Sequence, residues 1–367
     1  MDTVKILLTS DIHLGIEREN PLISRDERFN TFRKIASLAA EHDILLLAGD
    51  IFHAGLIDKS YFNDINNELA EIAEKGTEIF FAPGSGETEL QGPVSGGIHE
   101  LKTTFTFSEK SKEPVFKSGK GDICIYGIPA VNSPLYQEIT RKDKNGFHLG
   151  LFYGEFSPQS TEKGEAHFIG KKEIKQMNLD FFALGRNHWF RLFRFSERIL
   201  GAYPGSPEPC SLDECGERFV ISLEIEGDRI ASFKRIPVNT VTVYSHEIDC
   251  SSLSDEKELI KAVKGKGSRD TMNRIELCGT RNFTIGLALS EELTGHFRGL
   301  KIIDMTDLPQ KIFMDESSSG RGFKGMFFRN LSESVKINPH CNPDYMLIKE
   351  LLSGSAKETG GIIFCDS

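Results

Sequence analysis

The chain has 367 residues, 39% of them hydrophobic and 27% charged, with a formal net charge of -10. At about 150 residues per domain the length suggests two or three domains, and the composition excludes an extensively disordered chain. The acidic balance excludes general coating of nucleic acid while leaving room for a local basic patch, and the lack of a long apolar stretch or a basic-then-apolar leader predicts a cytoplasmic protein without membrane contact.

Val4-Lys5-Ile6-Leu7-Leu8-Thr9 reads as a buried strand that ends in Ser10-Asp11-Ile12-His13-Leu14-Gly15. Ser24-Arg25-Asp26-Glu27 then opens an amphipathic helix carrying Phe29, Phe32, Ile35, Ala36, Leu38 and Ala39. A second strand over 44–48 ends in Gly49-Asp50, a helix carries Ile65, Leu69, Ile72 and Ala73, and a third strand over 78–82 ends in Pro83-Gly84. This alternation predicts βαβ units and a largely parallel sheet. Further apolar runs lie at 123–128, 147–152 and 181–184, and 219–225 and 230–236 flank Glu226-Gly227-Asp228 as a hairpin.

After Pro237 the pattern is mixed, with strands predicted at 240–248, 274–278 and 300–305 and helices at 255–263 and 290–297. The expected layout is a first domain over 1–237, a small α+β capping domain over 238–310, a linker over 311–342 and a final helix over 343–353. Seven scattered cysteines without a C-x-x-C pair read as reduced thiols.

Asp11 and His13 point to one side of the first strand's end, a carboxylate and an imidazole that suit a divalent ion. Alone, the pair is more simply a turn-capping Asp beside an exposed His. It gains company from Gly49-Asp50 and from Gly185-Arg186-Asn187-His188, each at the carboxyl end of a strand, where open α/β folds build their sites. In this order the D-x-H-x-G, G-D and G-x-x-H elements resemble the calcineurin-like metallophosphoesterases. Tyr203-Pro204-Gly205-Ser206-Pro207-Glu208, with Asp213-Glu214-Cys215-Gly216-Glu217 after it, narrows the resemblance to the SbcD/Mre-type nuclease subunit of double-strand-break repair.

The resemblance implies an α/β fold, a β-sandwich flanked by helices, holding two ions that clamp a phosphodiester and activate water. It implies a first metal site of Asp11, His13, Asp50 and His188, with Asp50 bridging. At the second site the chain departs from the family: Ser85 stands at the ligand Asn, Gly86 at the catalytic His, Tyr153 at a ligand His, and Arg186 at the first His of the Gly-His-x-His motif. A guanidinium carries no lone pair for a metal, so Arg186 repels an ion and becomes a candidate phosphate binder. One divalent ion is expected, manganese first, with iron, magnesium or zinc as alternatives. Rescue by His53, His99 or His148 is the competing expectation, although His148 lies at an odd offset from Tyr153 and faces the other way.

Arg186, Arg191, Arg194 and Arg198 interleave with Trp189, Phe190, Phe193 and Phe195, which reads more readily as a strand pair than as a DNA track. Lys257, Lys261 and Lys264 read as a solvated helix face. The final helix, with Met346, Leu347, Leu351 and Leu352, is either a partner-docking element or a helix packed on its own domain. The resemblance implies an SMC-like coiled-coil ATPase as partner, a homodimer, and DNA as a ligand. Two functional readings follow: a subunit with impaired or lost nuclease activity that binds DNA ends or serves structurally, and an active one-metal phosphodiesterase or one with unrecognised second-site ligands.

Overall fold

The computed structural model describes residues 3–18, 22–53, 57–88, 103–107, 115–128, 139–142, 145–157, 168–195, 198–309 and 361–365. The chain divides into two compact units, Met1–Cys210 with Glu217–Val241, and Ser211–Gly216 with Thr242–Ser367. The linker expected over 311–342, the helix expected over 343–353 and His99 lie outside the described residues. Among the described residues no helix is long and apolar enough to cross a membrane.

In chain order the first unit contains β1 (Val4–Thr9), α1 (Arg25–Ala39), β2 (Ile44–Leu47), α2 (Lys59–Glu74), β3 (Glu78–Phe81), the short α3 (Ser85–Thr88), β4 (Thr104–Thr106), β5 (Val115–Lys117) and β6 (Ile123–Gly127). It continues with β7 (Phe147–Tyr153), β8 (Glu155–Ser157), β9 (Phe168–Gly170), α4 (Lys171–Met177), β10 (Phe181–Gly185), β11 (Arg191–Phe195), β12 (Arg198–Tyr203), β13 (Phe219–Glu226) and β14 (Arg229–Pro237). Strands β8 and β9 pair by themselves, and the other twelve form two six-stranded sheets, ordered β14-β13-β1-β2-β3-β4 and β11-β12-β10-β7-β6-β5, the sandwich that the resemblance implies. Each has a parallel centre, and the β13–β14 hairpin, β11 and β5 add antiparallel edges.

The period of two decides what each strand residue covers. On β1, Ile6 and Leu8 point between the sheets, where they meet Ile44, Leu46, Leu149, Leu151, Phe181 and Leu223. Leu7 points outward with Leu45, Leu47 and Phe81 against Phe32, Ile35, Ile65 and Leu69 of α1 and α2. Both faces of β1, β2 and β10 are thus covered, which is why these strands read as unbroken apolar runs. The helices start where side-chain caps begin them. Ser24 and Glu27 exchange hydrogen bonds as a capping box, and Asp58 accepts from the Tyr61 N–H at 2.9 Å.

The second unit has a four-stranded sheet of β15 (Val243–Asp249), β16 (Met272–Cys278), β17 (Gly299–Asp304) and β18 (Gly361–Cys365), with β18 antiparallel to β17. Helices α5 (Glu256–Lys264) and α6 (Leu287–Leu293) cover it, burying Leu259, Val263, Leu289 and Leu293 against Ile275, Leu277 and Leu300. Helix α6 begins three residues before the expected 290. The Glu256 carboxylate accepts the N–H groups of Gly286 and Leu289, and Gly295 at φ 68° ends the helical run. Lys257 and Lys261 are exposed, and Lys264 pairs with Glu292 at 2.6 Å, as on a solvated helix face.

Candidate metal centre

The loops leaving β1 and β2 run side by side. Asp11 N–H donates to Gly49 O at 2.9 Å, His13 N–H to Asp50 O at 3.0 Å and Leu14 N–H to Ile51 O at 2.9 Å. Asp11, His13 and Asp50 have φ of 50°, 52° and 48°, and Arg186 of 101°. A left-handed non-glycine residue costs on the order of 1–3 kcal/mol, and such strain persists only where neighbouring contacts hold it. Of the five described non-glycine residues in that region these are four. The strain of the described backbone is therefore concentrated at one corner.

The second sheet reaches the same corner through Gly185. A Cβ there would lie 1.6 Å from Ala48 O, so only glycine lets the end of β10 pass against the end of β2. Arg186 and His188 follow directly, which brings side chains distant in sequence beside Asp11 and His13. His13 Nε2 and His188 Nε2 are 3.1 Å apart. That is the spacing of adjacent ligands on an ion with metal–nitrogen distances of about 2.0–2.1 Å. One donor atom from each of Asp11, His13 and Asp50 lies within 4.8 Å of the other two, and the same holds for His13, His188 and Cys210.

Charge at this corner is costly without a cation. Burial pushes the Asp11 carboxyl up to about 7, against the opposing pull of His188, and the Asp50 charge raises it further. Burial, reinforced by His188, Arg28 and His53, holds the His13 imidazole well below its usual range. His13 is therefore neutral, and its buried Nδ1 has no hydrogen-bond partner. Neither neutral tautomer satisfies both ring nitrogens. Two carboxylates and two imidazoles with an orphaned buried nitrogen fit a divalent ion.

The side facing the expected second ion is built differently. Gly86 N–H donates to Asp50 Oδ1 at 3.0 Å, Tyr153 Oη donates to Asp50 Oδ2 at 2.7 Å, and Ser85 Oγ lies 3.1 Å from Tyr153 Oη. Gly84 is tied to this packing, because a Cβ would come within 2.3 Å of Asp50 Oδ1. Arg186 reaches the centre through its backbone, whose N–H donates to Asp11 Oδ1 and Oδ2 at 3.0 and 3.1 Å. Its guanidinium makes no ion pair among the described residues. His148 is fully buried between Tyr126 Oη and Asn145 O, at 2.7 and 2.8 Å, and serves the core. His53 stands beside His13 with ring centroids 5.7 Å apart.

Four supporting residues carry no flag as site residues in the sequence. Glu87, buried, accepts the N–H groups of Gly84, Asp50 and Phe52 at 2.7, 3.0 and 2.8 Å and so fixes the Asp50 loop. Arg218 donates to His188 O, to Ser206 O at 3.0 Å and to Ser206 Oγ at 2.6 Å, which fastens the His188 turn to the Pro-Gly-Ser-Pro segment. Arg28 bonds Ile12 O at 2.8 Å and Pro209 O at 3.2 Å, and Cys210 follows. Glu87 and Cys210 adjoin quoted motifs. Arg28 and Arg218 act across long separations, which spacing along the chain does not disclose.

The arginine and aromatic stretch forms the β11–β12 pair. Phe193 packs on Phe156 and Tyr203, Arg198 pairs with Asp180 at 2.8 Å, and Trp189 stays 47% exposed above the Arg218 guanidinium.

Residues 4–182 match the family model of the calcineurin-like phosphoesterases. The double-strand break repair protein MRE11 of Mus musculus is 22% identical over 301 residues, 65% of this chain and 42% of that protein. MRE11 of Coprinopsis cinerea is 48% identical over 54 residues, 14% of this chain and 7% of that protein. Double-strand break repair protein mus-23 of Neurospora crassa is 28% identical over 90 residues, 23% of this chain and 12% of that protein. The chain spans less than half the length of these curated relatives. The sandwich, the converging donors and these matches give the first unit a calcineurin-like phosphoesterase fold and make it similar to the double-strand break repair proteins of the MRE11 type.

Proposed function

We propose that the chain is an MRE11/SbcD-type subunit that holds one divalent ion on Asp11, His13, Asp50 and His188 and has lost the second ion site, with nuclease activity impaired or absent. The observation that carries this reading is the Ser85–Tyr153–Asp50 hydrogen-bond chain. It supports the reading because a phenol and a hydroxyl stand at positions for which the resemblance implies an imidazole and an amide as ligands, and because it engages the carboxylate that would bridge the ions. Arg186 adds a permanent positive charge at a position where the resemblance implies a ligand imidazole.

When bound, a single divalent ion supplies Lewis-acid polarisation of a phosphoryl oxygen and lowers the pKa of water. The chain's own residues then bind and orient. Glu87 and the β1–β2 ladder hold Asp50 and His13, Arg218 holds His188, and the Arg186 guanidinium offers a phosphate a charge-assisted hydrogen bond. Gly86 supplies no group to protonate a leaving oxygen. Such a centre holds a phosphodiester better than it turns one over, which suits a DNA-end-binding or structural subunit working as a homodimer with an SMC-like coiled-coil ATPase in the cytoplasm.

A second reading, a one-metal phosphodiesterase, is favoured by the four convergent donors. Metal analysis beside a manganese-dependent assay on a DNA duplex and a bis-aryl phosphodiester separates the two. One equivalent of ion, negligible turnover and co-purification with a large coiled-coil ATPase are expected. Two equivalents with robust turnover that disappears in Asp50→Ala would overturn the proposal.

A further inference from the structure

Cys210 ends the segment that begins with Pro204-Gly205-Ser206, and that segment is fastened at both ends to the loops carrying the two histidines. At its start Ser206 N–H donates to His188 O at 3.1 Å, and Gly205, at φ 83°, passes so close that a Cβ would lie 2.7 Å from the same oxygen. At its end the Arg28 guanidinium bridges Pro209 O and Ile12 O, the carbonyl just before His13. Between these fastenings Glu208, fully buried, bonds Thr31 and accepts from Thr240 Oγ1 at 2.7 Å. The sulfur is thereby delivered to the two imidazoles, with the Sγ and the ring donor atoms of His13 and His188 all within 4.8 Å of one another.

A second observation points to a ligand at this spot. His13 is only 8% exposed and its Nε2 faces the Nε2 of His188 at 3.1 Å, so two ring nitrogens are turned toward one point beside the sulfur. An imidazole pair of this kind beside a thiol is a donor set for a cation. Arg28 Nη1 also lies 4.0 Å from Cys210 Sγ, a donor able to orient a ligand sulfur.

We infer that Cys210 joins His13 and His188 as a sulfur ligand of the single ion, adding a thiolate to an oxygen and nitrogen donor set so that it selects zinc, or iron(II), over manganese and magnesium. The inference rests on the one-ion reading above and deepens it, because a thiolate is a poor ligand for hard cations and a good one for borderline ions. It favours zinc or iron, alternatives in the sequence reading, over the manganese put first there.

Cobalt(II) is the probe, added to the full chain after chelator treatment and dialysis. One equivalent should bind with a near-ultraviolet thiolate-to-cobalt charge-transfer band, and Cys210→Ser should keep the visible ligand-field bands but lose that band. The same substitution should weaken zinc at least about tenfold while moving manganese by no more than about twofold. On the unmodified chain, zinc should protect Cys210 from iodoacetamide in a peptide map, which requires no variant to fold. Cobalt bound without the band, or with a band that survives Cys210→Ser, or zinc that leaves Cys210 alkylation unchanged, would overturn the sulfur ligand and leave the one-ion reading standing. Failure of cobalt, zinc and manganese alike to bind would remove both.

Discussion

Tyr153 Oη donates to Asp50 Oδ2 at 2.7 Å, so the carboxylate of one site loop is held by the strand end of the opposite sheet. Burial, and then the Asp50 charge, push the phenol's ionisation up, and the hydroxyl remains a donor at any working pH. Tyr153→Phe should cost about 2 kcal/mol in the ion-free protein, the range of a hydrogen bond to a charged acceptor. Denaturant melts with chelator and with zinc measure it. The deficit should shrink with zinc present, because the freed oxygen becomes available to the ion.

On the one-ion proposal, installing the residues that the resemblance implies should create a second site only as a set. Ser85→Asn, Gly86→His, Tyr153→His and Arg186→His together should raise the bound ion from one equivalent to two and lift phosphodiester turnover at least about tenfold. Tyr153→His alone should do neither, since the Arg186 guanidinium still repels an ion. Inductively coupled plasma analysis reads the stoichiometry. A fourfold variant that still holds one ion would mean that the sandwich, and not these side chains, forbids the second.

The Asp11 contribution to the stability of the ion-free protein should fall as pH rises. Asp11 has its carboxyl raised by burial from 3.8 to about 7 when folded, so the folded state binds that proton more tightly than the unfolded chain. Its contribution is fully present below pH 3.8 and is lost as pH passes through 7, on the order of 4 kcal/mol in all. Asp11→Asn should flatten this slope in chelator. With a divalent ion the sign reverses, because the ion displaces the proton, and affinity should climb with pH until about 7.

Glu87→Gln tests whether the Asp50 loop is held by one carboxylate. Both oxygens accept backbone N–H groups, at 2.7, 2.8 and 3.0 Å, so an amide places its NH2 against a donor in either orientation. The expected cost is about 2 kcal/mol. Below the melting temperature, ion affinity should still drop about tenfold, since a ligand's orientation depends on what holds it. Unchanged affinity in a folded Glu87→Gln protein would reduce Glu87 to a packing role.

Much of this fold was legible because each inner strand is covered on both faces and each site loop leaves a strand's carboxyl end. Asp11, His13, Asp50 and His188 could be gathered at strand ends from that, and the resemblance implied by the motifs joined them as one ligand set. The pairing of Asp50 with Tyr153 could not, because the two lie on different sheets and their approach depends on how the sheets face each other. Arg28 and Arg218 were illegible for a similar reason. Each is a buried guanidinium serving carbonyls far away in sequence, and neither periodicity nor a motif marks such a role. Cys210 was passed over because a lone thiol carries meaning only beside the imidazoles that the fold brings to it.

The convergence of the two sheets hangs on Gly185, and this gives the sharpest test of how the site is assembled. The Cβ of Gly185→Ala would lie 1.6 Å from Ala48 O and 3.1 Å from Ser10 Cβ, and the nearer atom is backbone that cannot rotate away. The substitution should destabilise the first unit by more than about 4 kcal/mol, well beyond an ordinary Gly-to-Ala change. Any folded fraction should bind the ion poorly, because His188 is carried away from His13 with the end of β10. Gly265→Ala in the second unit is the control. Its Cβ would meet nothing closer than 3.4 Å, at a C-cap with φ -68°, so stability should change by less than about 1 kcal/mol. Equal melting points for the two variants, or full ion affinity in Gly185→Ala, would show that the sheets meet at this corner with more slack than the packing of Gly185 allows.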